Sequence, residues 1–251
     1  MTFVGDSFTT GHGIADMEDR FANRLRRAHP EWEVHLIAQN GLDTGEEIAA
    51  IRQGAANGYE FDLVVLVYCL NDLGDLMPEW SKVTAAIGGG VRNQGWLTRN
   101  SYFASVLGYR LEASRNPYMA KYFDFVKDGY RGEVWERQQA RLREFQRVVE
   151  KGGGRLAVAT FPFMHALGTN YEYQFVHDQL AEFWKQQNVP HLELLPAFRG
   201  LSPQSLTVNS RDPHPNAHAN GIAANAMDEF IVPLLAEKQP TEQGNLSPVP
   251  K

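Results

Sequence analysis

Cysteine is almost absent from this chain: Cys69 is the only one in 251 residues. A single thiol excludes an intrachain disulfide and any metal site built from several cysteines. Long apolar runs are missing as well, and none reaches the roughly 18 residues that cross a bilayer as a helix. Positive charge is in deficit: Lys and Arg number 24 against 30 Asp and Glu, a formal net charge of −6. That balance argues against nucleic acid or an anionic membrane surface as the main partner. The start lacks the basic residues and long apolar core of a signal peptide, so the chain reads as cytoplasmic by default. Its first strand is short for the middle of a parallel sheet, which also fits a chain trimmed from a longer, secreted one. Internal repeats are absent too. What is present is apolar substance, 43% of the residues, enough to bury the core of one large domain.

The chain opens on Phe3-Val4-Gly5-Asp6-Ser7-Phe8-Thr9-Thr10-Gly11, a short apolar strand running into a Gly-rich turn with a serine at its apex. Met17, Phe21, Leu25 and Ala28 then recur at helical spacing, and Pro30 closes that helix. Trp32, Val34 and Leu36 alternate with polar residues into Ile37 and Ala38, a second strand that ends at Asn40-Gly41. Thr44 stands three residues before Glu47, a capping-box spacing, and Ile48 and Ile51 give the next helix its buried side. Phe61 to Val67 is a near-continuous apolar run, as a strand buried on both faces requires. It leads to Cys69-Leu70-Asn71-Asp72.

Regular alternation stops between about 78 and 130. This stretch holds Gly88-Gly89-Gly90, a predicted helix from Ser101 to Ser114, and many aromatics. So long a connection reads as an insertion or lid with structure of its own. Its aromatics either pack it onto the core or wall a pocket for an acyl chain or sugar ring. A helix then runs from about Glu133 to Lys151, with Trp135, Gln138, Leu142, Phe145 and Val149 on one face, and Gly152-Gly153-Gly154 ends it. Leu156–Phe161 is a fourth strand with His165 just beyond. Glu172–Asn188 is helical, with Val176, Leu180, Phe183 and Trp184 inward. His191–Leu195 is a fifth strand. Asn216–Leu235 is the last helix, with Ile222, Met227, Phe230 and Leu234 as its apolar stripe. Residues 239–251 are polar and Pro-rich and read as a disordered tail after a domain spanning 1–238. Strands alternating with helices point to an α/β fold with a five-stranded parallel sheet covered on both faces.

Ser7, Gly41, Asn71 and His165 thus fall in loops at the carboxyl ends of strands, where open α/β sheets bind ligands. Asp212 and His214 lie after the last strand and before the last helix. Acyl transfer needs a nucleophile, a base, a group to orient the base, and donors for the developing oxyanion. Ser7, His214 and Asp212 could fill the first three roles, and the Ser7 N–H, the Gly41 N–H and the Asn71 carboxamide the last. On spacing alone Gly41 could equally be a turn residue. Asp6 and His165 are candidates for the wall of a substrate pocket.

In this order the residues resemble the SGNH (GDSL-type) hydrolase family. Its first block corresponds to Gly5-Asp6-Ser7, its second-block glycine to Gly41, its third block to the run ending in Asn71-Asp72, and its last to Asp212 and His214. The resemblance implies a flavodoxin-like three-layer α/β/α sandwich with a helical, aromatic-rich insertion. It also implies an esterase or deacylase that needs no metal or cofactor, acting on a small ester such as an acylated carbohydrate or lipid. Two positions depart from the pattern: Cys69 stands where the third block begins with glycine, and Arg211 where the acid commonly precedes the histidine by three residues. Asp212 precedes it by two.

Other readings use the same residues. An acyltransferase would need the same machinery, and a ligand-binding protein could keep the fold without the chemistry. His214 and His218 are four apart, as metal-binding pairs are, but no glutamate follows the first and Pro215 interrupts the helix. The turn from Gly5 to Gly13 lacks the Lys-Ser/Thr ending of a phosphate loop, and Thr9 replaces the second glycine of a Gly-x-Ser-x-Gly elbow. His12, near the serine turn, either lines the pocket or stands exposed in its loop.

Overall fold

The computed structural model describes residues 1–82, 121–209 and 212–236. Five parallel strands form the main sheet in the order β2-β1-β3-β4-β5: β1 (Thr2–Gly5), β2 (His35–Ala38), β3 (Leu63–Cys69), β4 (Arg155–Phe161) and β5 (His191–Glu193). β3 sits at the centre because every one of its seven residues is buried, and only a continuous apolar run can be covered on both faces. It pairs with β1 from Thr2↔Val64 to Gly5↔Val67 and with β4 from Leu63↔Arg155 to Cys69↔Phe161.

Helices α1 (Ser7–Thr10), α2 (Phe21–Ala28), α3 (Thr44–Ala56), α4 (Tyr122–Gly129), α5 (Gly132–Lys151), α6 (Gln174–Gln186), α7 (Leu195–Phe198), α8 (Pro203–Leu206) and α9 (Ala217–Ala236) follow in chain order. α3 packs on α5, and α2 on α9. Right-handed crossovers set these pairs on opposite faces of the sheet, giving an α/β/α sandwich. The chain leaves β1 in one direction to β2 and in the other to β3, so the strand order reverses between β1 and β3. The crevice beyond their carboxyl ends is where such sheets bind ligands. Ser7 follows β1 and Asn71 follows β3.

Gly5 makes the first turn. A Cβ there would lie 2.2 Å from Thr9 Oγ1 and 2.7 Å from the Val67 carbonyl, so no side chain fits between the turn carrying Ser7 and the central strand. Trp135, Gln138, Leu142, Phe145 and Val149 of α5 are all buried, as their spacing predicts, and so are Val176, Leu180, Phe183 and Trp184 of α6.

Several elements differ from expectation. Met17 is exposed in a 3-10 turn (Met17–Asp19), and α2 begins only at Phe21. The capping box of α3 lies one residue earlier than Thr44–Glu47. The Asp43 carboxylate accepts the Gly45 and Glu46 N–H groups, and Glu46 reaches back to the Asp43 N–H. That frees Thr44 and Glu47 to turn inward, and both are fully buried. The fully buried face of α9 is Ala219, Asn220, Ala223, Ala224, Met227 and Ile231; of the expected stripe Met227 lies on it, while Ile222, Phe230 and Leu234 are half-buried at its edges. Packed against α2, the helix turns its small side chains inward. Asp212 and His214 lie in a strand, β7 (Asp212–Pro215), antiparallel to β6 (Thr207–Asn209). A two-stranded ribbon has free edges, so its prolines cost no ladder bond. The expected helix at 101–114, the glycine run at 88–90, Arg211 and the tail at 239–251 lie outside the described residues. Among the described residues no helix is long and apolar enough to cross a membrane.

Candidate active site

Ser7 opens α1 directly after β1. Asp6 caps that helix, its carboxylate accepting the Phe8 N–H at 2.8 Å. As the first helical residue, Ser7 has an N–H with no intrahelical acceptor. Its Oγ lies 2.9 Å from Nε2 of His214, and Nδ1 of His214 lies 2.5 Å from Oδ1 of Asp212. The two-residue spacing of acid and imidazole therefore closes a hydrogen-bonded series from carboxylate to ring to hydroxyl. It does so because Asp212 Oδ1 also accepts the backbone N–H of His214 at 3.1 Å, a local turn that folds the acid onto its own imidazole. Asp212 is anchored from behind, its N–H donating to Asn209 Oδ1.

Ser7, Asn71, His165 and His214 line one cavity of about 100 Å³, together with Phe8, Tyr122, Phe123, Phe163 and Pro213. Asn71 Oδ1 is buried and has no hydrogen-bond partner among the described residues. A second, open depression of about 350 Å³ shares Phe123, His165 and Pro213, and continues past Pro203, Gln204, Thr207 and Asn209. His165 stacks on Phe123 at 3.9 Å, and burial holds its imidazole below the ordinary range. Its loop is fixed from below: the Phe163 N–H donates to the Tyr171 hydroxyl, which meets His177, which in turn pairs with Glu193. Most of the stretch from 78 to 130 lies outside the described residues, and the aromatics described within it divide. Tyr122 and Phe123 wall the cavity, whereas Tyr130 is buried in the core and donates to the Leu70 carbonyl.

Not every candidate reaches the cavity. Asp6 is fully buried beneath Ser7, its Oδ2 3.2 Å from Ser7 Oγ; it supports the turn that carries Ser7 and lies outside the cavity's lining. Gly41 is exposed in the turn after β2 with φ +81°, outside the cavity's lining. Its loop nonetheless runs beside the nucleophile turn, since the Gln39 N–H donates to the Gly5 carbonyl at 3.4 Å. Cys69 is buried and burial pushes its thiol well up, so it is protonated at neutral pH. His218 is exposed on the first turn of α9.

The sequence reading took Glu47 only as part of a capping box. Both its carboxylate oxygens are buried without a partner. Burial, and next the charge of Asp6, hold its carboxyl well above the ordinary range; burial and Glu47 do the same to Asp72. The signal was there: Glu47 and Ile51 are four apart on α3, hence on one face. A raised native pKa means that the folded form keeps its proton after the unfolded chain has released it. Stability tied to this group is therefore undiminished below the ordinary glutamate pKa and falls as pH rises toward the folded value. Glu47→Gln is expected to become progressively more stable relative to the parent as pH increases from 5 to 8. Urea denaturation at several pH values checks this, and a difference independent of pH would refute it.

No protein-family model matches this chain, and no curated protein matches it. Solved structures do. The crystal structure of TesA superposes with a TM-score of 0.57 at 14% identity, covering 93% of this chain and 98% of that one. A lipolytic protein of the G-D-S-L family from Veillonella parvula gives 0.56 at 10% identity, covering 92% and 97%. The psychrotrophic esterase EstA from Pseudoalteromonas sp. gives 0.51 at 15%, covering 94% and 98%. The chain has the fold of the SGNH (GDSL-type) hydrolases.

Proposed function

We propose that this chain is a serine carboxylic ester hydrolase acting on short acyl esters through an acyl-enzyme. The observation that carries the reading is the hydrogen-bonded series Ser7 Oγ, His214 Nε2, His214 Nδ1, Asp212 Oδ1 opening on a cavity. It joins a hydroxyl, a base and an orienting acid in the geometry nucleophilic acyl transfer uses. Likeness to solved esterases and lipolytic proteins of the same fold supports it.

In this reading Ser7 Oγ attacks the ester carbonyl carbon while Nε2 of His214 takes its proton. Asp212 keeps the other ring nitrogen protonated and stabilises the imidazolium. The tetrahedral oxyanion is met by the Ser7 N–H, the Asn71 carboxamide and the Gly41 N–H. Collapse expels the alcohol, which takes its proton from His214, and water then resolves the acyl-enzyme by the same route. Gly41 is the member that must swing toward the carbonyl, because its φ of +81° and open surroundings leave the turn free to adjust.

The two cavities suggest how an ester would lie. The 100 Å³ space beside Ser7 is walled by Phe8, Tyr122, Phe123 and Phe163 and suits a short acyl group. The wider depression carries Gln204, Thr207 and Asn209, whose polar groups suit a hydroxylated alcohol such as a sugar. Activity on p-nitrophenyl esters is thus expected to be highest at acetate or propionate and to fall roughly tenfold or more by octanoate, since a few misfit methylenes cost 1–3 kcal/mol. A profile rising toward octanoate would reject this division of the site. Labelling with a fluorophosphonate and mapping the adduct tests the chemistry itself. Modification at Ser7 is the expected result, and an unlabelled Ser7 in folded protein would favour a binding role for the fold.

A further inference from the structure

The carboxylate of Asp212 has a second oxygen that the series from Ser7 does not use. Oδ1 takes both the ring and the backbone N–H of His214, a consequence of the two-residue spacing, and leaves Oδ2 facing the loop after α1. There, Nε2 of His12 lies 3.6 Å from Oδ2. The His12 ring also packs on that of His214, centroids 4.5 Å apart. The loop fits closely at this point: a Cβ on Gly13, which has φ +79°, would come within 3.3 Å of Oδ2 and 2.7 Å of Val208.

Asn40 faces His12 from its far side. Its Oδ1 lies 2.5 Å from the Thr10 hydroxyl, which also reaches the Ser7 carbonyl at 3.1 Å, and its amide nitrogen lies 2.9 Å from Nδ1 of His12. With Nδ1 accepting from that nitrogen, the neutral ring carries its proton on Nε2, on the side of the carboxylate.

We infer that His12 is a positioning residue: oriented by Asn40, it holds Oδ2 of Asp212 and backs the His214 ring, keeping an acid only two residues away aimed at Nδ1. This rests on the reading of Ser7, His214 and Asp212 as hydrolytic machinery. A lone acid with a free oxygen can rotate about its Cα–Cβ and Cβ–Cγ bonds. An N–H on Oδ1 and a second ring nitrogen facing Oδ2 across 3.6 Å favour one orientation.

The test compares His12→Phe, which keeps a ring against His214 but donates nothing, with His12→Gln, whose amide nitrogen takes the place of Nε2. His12→Phe is expected to lower kcat on p-nitrophenyl acetate roughly tenfold, as for one donor lost from a charged acceptor, with KM within about twofold. The low-field proton NMR resonance of the His214 Nδ1–H should shift, and His12→Gln should recover most of both. Full kcat with an unmoved resonance in His12→Phe would overturn the proposal. So would equal impairment of both variants with a lowered Tm, which marks plain packing. The ligating atoms of His12, Asp212 and His214 lie within 4.8 Å of one another, so zinc inhibition of the parent that His12→Gln abolishes would replace the proposal with a metal site. If the parent itself fails to label at Ser7, the hydrolytic reading is what has failed, whereas the resonance still reports whether His12 orients the Asp212–His214 pair.

Discussion

Ser7→Ala is expected to lower kcat on a short acyl ester by about 10⁴-fold or more, leaving KM little changed. The size of the effect follows from the absence of a substitute nearby. Thr9 is fully buried, and Thr10 spends its hydroxyl on Asn40 and the Ser7 carbonyl. The Cys69 thiol is buried and held protonated by its surroundings. With the serine gone, His214 can act only on water, and the chemistry falls back on whatever the oxyanion donors and binding contribute. The variant should fold as the parent does, because among the described residues the hydroxyl meets Asp6 and His214 and alanine is compatible with the first position of a helix. Removing it also ends a direct contact between a buried carboxyl and the nucleophile. Burial raises the Asp6 pKa, and its hydrogen bond from Ser7 is among the influences that lower it. Circular dichroism and Tm establish that the fold survives; turnover is then measured on p-nitrophenyl acetate. Ordinary turnover by folded Ser7→Ala would remove Ser7 as nucleophile, and with it the whole assignment.

How much of this was legible in the sequence depended on whether a residue's surroundings are local. β3 was readable because burial on both faces demands an uninterrupted apolar run, and Leu63–Cys69 supplies it. α5 was readable because its buried positions recur at helical spacing and are large. α9 misled, since its inward face is chiefly alanine, and alanine carries little hydrophobic signal against the neighbouring isoleucine, phenylalanine and leucine. Asp43 and Thr44 are both good caps, and sequence does not say which of two adjacent caps a helix will use. The strand at Asp212–Pro215 was unreadable: two prolines in four residues oppose strand propensity, and its partner is only three residues long. In the site, Ser7, Asn71 and His214 were marked by their order and by their places at strand ends. Gly41 was marked in the same way, yet stands outside the cavity in this structure. His12 was noted only for its place near the serine turn and Asn40 only as part of a loop, because their meeting with Asp212 depends on two loops and a ribbon coming together, which no spacing in the chain encodes.

Asn71→Ala is expected to reduce kcat by roughly 10²–10³-fold, the cost of one oxyanion donor, with KM changed far less. The carboxamide stands in the turn after the central strand, and that turn is held more firmly than the one carrying Gly41. The Leu70 carbonyl accepts from the Tyr130 hydroxyl at 2.9 Å, and the Asp72 carbonyl from the Thr44 N–H at 3.1 Å. Beneath them Tyr130 meets Tyr68 at 2.7 Å, and Gln138 donates to both Tyr68 and Thr44. Every residue of this network is buried, where hydrogen bonds shielded from water resist rearrangement. The Asn71 side chain lines the same cavity as Ser7, so its amide stands near Ser7 before any substrate arrives. Donors fixed in advance need no reorganisation as charge develops, and the loss should therefore fall on kcat. Asn71→Asp should be at least as damaging, because it sets a second carboxylate beside Asp6 and offers the oxyanion an acceptor in place of a donor. Steady-state kinetics of the two variants on one ester decides the matter. A rise in KM at unchanged kcat would make Asn71 a binding residue and leave the oxyanion to the backbone alone.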